Sequence, residues 1–79
     1  LDPPDKASGT GDEVLLVRGT AKVIKGVHEG TSNFIVIAYG TTSRVVFNEI
    51  GNYDGKAVLP VGTVILEVMT EGEWTIELE

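Results

Sequence analysis

Few residues of this 79-residue chain could do chemistry: one histidine, twelve carboxylates, and no cysteine. His28 is followed by Glu29 and Gly30 in what reads as a hairpin turn, the setting of a surface residue, and a protease or zinc reading needs partners that the sequence lacks. Glu49, Asp54, Glu67, Glu71 and Glu73 lie near expected turns, yet no spacing singles out an acid and a base for work on a sugar. Acids alternating outward along a strand more often keep a sheet edge from pairing with a neighbour. Calcium has oxygen donors to draw on in Asp12 and Glu13, in Glu49 with Asn52 and Asp54, and in Glu71 with Glu73. No Asp-x-Asp-x-Asp-Gly loop organises them, so solvated acids are expected and calcium binding stays open. Phosphate loops, nucleophile elbows and His-Glu-x-x-His are absent. No catalytic residue, metal ligand or cofactor is therefore expected.

The aromatic residues sort by strand parity. Trp74 shares its parity with Ile76 and Leu78, and Phe34 shares its own with Val36 and Ala38, so both read as core. Only Tyr39 and Tyr53 remain as platform rings for a glycan. Asn33, Asn48 and Asn52 suit turns closed by their own amides, and residues 48–55 form the longest connection after the N-terminal segment.

The elements that must position these side chains are strands. Hydrophobic residues make up 42% and charged residues 23%, a globular balance, and the length allows one domain. Residues 1–12 (LDPPDKASGTGD) carry two of the three prolines and no apolar period, and read as a flexible linker or arm before a domain at 13–79. Seven β-branched runs follow, at 13–17, 20–27, 33–39, 43–48, 55–59, 63–69 and 73–78, punctuated by glycine, with no helix of useful length. This predicts an all-β, antiparallel sandwich of seven or eight strands, jelly-roll-like or immunoglobulin-like. The expected core is Leu16, Val23, Phe34, Val36, Ala38, Val46, Leu66, Val68, Trp74 and Ile76.

Two runs, Leu15 to Val17 and Phe34 to Tyr39, are apolar on both faces. A two-layer sandwich turns one of those faces to solvent, so the linker, a loop, or another protein should cover it. The formal net charge of -6, with six scattered basic residues, argues against nucleic acid and anionic membrane surfaces. No apolar stretch is long enough to span a bilayer, so direct membrane insertion is not expected. Opening at Leu1 with no initiator Met, the chain is expected to be a processed product or an excised domain, with any signal or anchor lying elsewhere.

The blocks Ser32-Asn33-Phe34-Ile35-Val36, Val46-Phe47-Asn48-Glu49-Ile50-Gly51-Asn52-Tyr53-Asp54-Gly55, Gly62-Thr63-Val64-Ile65-Leu66-Glu67-Val68 and Gly72-Glu73-Trp74-Thr75-Ile76 together resemble a small bacterial module. It is the uncharacterised, actinobacterial-type β-sandwich domain at the C-terminal end of secreted lipoproteins and membrane-anchored proteins. The resemblance spans about residues 12–79 and implies a non-enzymatic accessory or interaction module, displayed on a linker at a bacterial cell surface, with a protein partner or its own parent chain as the contact. It transfers no active site, metal or ligand. The segment 39–44 is shorter than the family's polar hairpin. A carbohydrate-binding module, resting on Tyr39 and Tyr53, is the first alternative. A structural subunit of a phage virion or surface assembly is the second, with oligomerisation through the doubly apolar strands.

Overall fold

The computed structural model describes residues 5–79 and contains eight strands: β1 (Lys6–Thr10), β2 (Glu13–Leu16), β3 (Val23–Glu29), β4 (Asn33–Tyr39), β5 (Ser43–Ile50), β6 (Tyr53–Val58), β7 (Ile65–Thr70) and β8 (Glu73–Leu78). They form two four-stranded antiparallel sheets, sheet A in the order β1-β8-β3-β6 and sheet B in the order β2-β7-β4-β5. The pairs β1–β8, β2–β7, β3–β6 and β4–β5 are those of one long hairpin folded at the β4–β5 turn. Rolling it adds the β3–β8 and β4–β7 contacts. That winding is the jelly-roll topology, which separates it from the immunoglobulin alternative.

The interior holds Ile24, Phe34, Val36, Ala38, Phe47, Leu66, Val68, Trp74, Ile76 and Leu78, with Val17 and Leu59 closing one end. Seven of the ten expected core residues lie here. Leu16 does not: Leu15 stands opposite the buried Leu66, which turns Leu16 outward at 63% exposure. Val23 is half-buried because the inward stripe of β3 is Ile24, Gly26 and His28. Val46 is half-buried at an irregularity in the β4–β5 register, where Val36 faces Phe47 and Ile37 faces Val45.

Within the arm expected at 1–12, residues 6–10 are held in a sheet rather than free. Lys6–Thr10 is an edge strand on β8, although its sequence carries no large apolar side chain. What it supplies instead is backbone hydrogen bonding and room. Gly9 lies opposite Trp74, and a Cβ there would stand 2.7 Å from the indole ring, so glycine lets β1 close over it. The indole Nε1–H donates to the Gly11 carbonyl at 2.8 Å, which ties the arm to the core. Residues 1–4 of the expected linker lie outside the described residues.

Candidate functional site

His28 is not a surface turn residue. The strand β3 runs on through Glu29, and inward parity buries the imidazole to 1% exposure. It stacks on Phe34 with centroids 4.9 Å apart. Its Nδ1–H donates to the Gly51 carbonyl at 2.6 Å, which leaves Nε2 to accept from the Thr70 hydroxyl at 2.7 Å. Thr70 Oγ1 in turn accepts the Gly72 N–H, and the Ser32 hydroxyl stands 3.3 Å away. One imidazole thus joins β3 of sheet A to β7 of sheet B and to the β5–β6 turn. A depression of about 480 Å³, lined by Val27, His28, Glu29, Asn52, Tyr53 and Asp54, reaches this ring, but both of its nitrogens are already bonded within the fold.

The other chemistry-bearing residues disperse. Asp12 Oδ1 accepts the Thr70 N–H at 2.9 Å, and Asn52 Oδ1 accepts the Gly30 N–H at 3.0 Å, so both are turn and edge ties. Glu13 is exposed at the edge of sheet B, where β2 pairs with β7. Glu49 lies on β5 of sheet B and Asp54 on β6 of sheet A. Glu71 is exposed in the β7–β8 turn, and Glu73 stands directly opposite Glu29 on the outer face of sheet A. Among the described residues, no group of three or more His, Asp or Glu side chains could hold a metal ion. Tyr53 packs on the core through Phe34 and Phe47, with centroids 6.5 and 5.5 Å away, so its ring is not a free platform. Asn33 and Asn48 stand on strands, directly opposite Ile50 and Ile35.

What the fold does assemble is the outer face of sheet B. Cross-strand register builds it in rows: Leu16, Ile65, Tyr39 and Ser43; then Val14, Glu67, Ile37 and Val45; then Met69, Ile35 and Asn48; then Asn33 and Ile50. Every one of these residues is exposed or half-buried, so no described segment closes over the face. The segment 6–10 cannot serve as a cover, because it is held in the opposite sheet. The edge charges Glu13, Arg44 and Glu49 pair opposite Val68, Ala38 and Phe34, which puts them on the inward parity and off this face.

Glu67 is the one charged side chain on it. Val14 and Ile37 flank it across the strands, and Ile65 and Met69 along its own strand. Its Oε1 accepts the Tyr39 hydroxyl at 2.7 Å. That hydrogen bond, then burial, then repulsion by the Glu67 carboxylate push the Tyr39 phenol above its ordinary value of 10.0.

No family model, curated protein or solved structure matches this chain. The face itself therefore carries the functional argument. Its signal was present in the sequence as the doubly apolar runs; the tyrosine–carboxylate pair within it was hidden, because Tyr39 and Glu67 are 28 residues apart.

Proposed function

We propose that this jelly roll is a non-enzymatic interaction module, displayed at a bacterial cell surface, that makes protein contacts through the outer face of sheet B. The supporting observation is the composition of that face: aliphatic side chains from all four strands with a single carboxylate among them. Folding does not require such a surface, since the interior is already filled by the opposite parity of the same strands. Contiguous exposed apolar area of this kind marks contact sites in soluble proteins. The cell-surface setting rests on the resemblance to C-terminal domains of secreted and anchored proteins.

A photo-crosslinking side chain placed at Ile50, on this face, and another at Lys25, on the outer face of sheet A, provide the test in cells that make the protein. A discrete protein adduct from position 50 and none from position 25 supports the proposal. Adducts from position 25 alone, or equal adducts from both, would overturn it. The carbohydrate alternative keeps only Tyr39 as an accessible ring. A subunit of a surface assembly would use this same face against its own copies.

A further inference from the structure

Resting on the contact face proposed above, we infer that its occupant is a different protein, whose docking segment presents one basic side chain, arginine or lysine, among aliphatic neighbours, with the cation seated on Glu67. Three observations carry this. First, the carboxylate is held in place: Tyr39 fixes Oε1, and among the described residues Oε2 has no hydrogen-bond donor. Second, it is ringed by Val14, Ile37, Ile65 and Met69, so any molecule that covers the aliphatic surface also takes this charge out of water. A carboxylate taken out of water with one oxygen unbonded is strongly unfavourable, so the occupant must bring a donor to Oε2, and a cation serves best. Third, the chain carries a formal net charge of -6, which draws basic partners toward it at low ionic strength.

A second copy fits less well. Face against face, it offers the same aliphatic field and another carboxylate in place of a cation, and two chains of charge -6 repel as they approach. A plainer role for Glu67 is to keep an apolar sheet from self-associating, as isolated charges do on exposed sheets. That role calls for no preference among partners of different charge.

The test selects peptides from a random phage-displayed library against the intact chain. The best sequences are then synthesised with the basic residue kept, or replaced by glutamine or glutamate, and titrated by fluorescence anisotropy. The expected result is enrichment of sequences with one arginine or lysine between aliphatic residues. Replacing that residue by glutamine should weaken binding about tenfold. Glu67→Gln should abolish the discrimination, and Ile37→Lys should abolish binding. Enriched peptides that depend on Ile37 but show no charge preference would overturn the cation assignment while leaving the contact face standing. Peptides unaffected by Ile37→Lys, or no enrichment, would overturn both. A Glu67→Gln chain that merely aggregates faster, with unchanged peptide preference, would assign Glu67 the gatekeeping role alone. Sedimentation covers the remaining occupant, since a dimer dispersed by Ile37→Lys would replace the foreign partner with a second copy.

Discussion

The two outer faces of this sandwich are built from the same kind of strand and differ in what they show to water. On sheet A, register sets Lys6, Glu77, Lys25 and Lys56 in one row, Ser8, Thr75, Val27 and Asp54 in the next, and Thr10, Glu73 and Glu29 in a third, with the aliphatic pair Val23 and Val58 at the opposite end. Lys25 and Lys6 both stand beside Glu77, and Lys56 pairs with Glu79 at 3.1 Å. Such exposed pairs add little stability and mainly keep the surface wet. Sheet B presents mainly aliphatic side chains in the corresponding places, with Glu67 as its single charge. Folding needs only one apolar face per sheet, so sheet A shows what a solvated face of this protein looks like. Sheet B departs from it in the way a contact surface does.

The largest effect that would test the comparison comes from the interior both faces share. Trp74→Ala should cost about 3–5 kcal/mol, read by denaturant unfolding, because the indole fills the core and anchors β1 through Gly11. A loss below about 1 kcal/mol would show that sheet A stands without that support. His28→Ala should follow at about 3 kcal/mol, since it leaves the Gly51 carbonyl without its imidazole donor and removes the ring stacked on Phe34. A near-neutral result would remove the imidazole as a tie between the sheets.

Smaller effects sharpen the contrast between the faces. Leu16→Ser and Ile50→Ser should each change stability by no more than about 0.5 kcal/mol, because these side chains are 63% and 77% exposed in the folded chain. Each should also raise solubility, measured by precipitation. The reverse change on sheet A, Lys25→Leu, should lower solubility at similar stability. Equal solubility across the set would mean that the aliphatic face has no consequence in solution.

The smallest effect is spectroscopic. Tyr39 should ionise above the ordinary tyrosine range in an ultraviolet titration and return toward it in Glu67→Gln. Because the folded-state phenol is raised, its contribution to stability is fully present below pH 10 and is lost only as pH climbs through the folded value. Tyr39→Phe should therefore leave stability near neutral pH almost unchanged in its pH dependence.

The sequence made the strands legible because β-branched runs and glycine turns repeat so regularly, and every expected run overlaps a strand of the fold. What it concealed has particular causes. The strand β1 is Lys-Ala-Ser-Gly-Thr, whose inward residues are small because Trp74 fills the space beneath them, so no apolar alternation announces it. The inward stripe of β3 is Ile24, Gly26 and His28. The glycine is there because a Cβ would stand 2.7 Å from the Phe47 ring, and the histidine because Thr70 and Gly51 satisfy it. Val23 and Val27 therefore mimic the core face. In Leu15-Leu16-Val17 all three residues are apolar, and only pairing with β7 decides which side turns inward. The contact face was visible as excess apolarity, whereas Glu67 and Tyr39 meet only through tertiary register.

Because the chain has no cysteine, single thiols can report on each face separately. Val45 on sheet B is 51% exposed and the Lys56 side chain on sheet A is 56% exposed, so Val45→Cys and Lys56→Cys form a matched pair. Maleimide labelling of the two should proceed at similar rates in the isolated chain. On intact cells that make the protein, a contact face on sheet B predicts that Val45→Cys is protected while Lys56→Cys still reacts. Equal labelling of both on cells, or protection of Lys56→Cys alone, would contradict it.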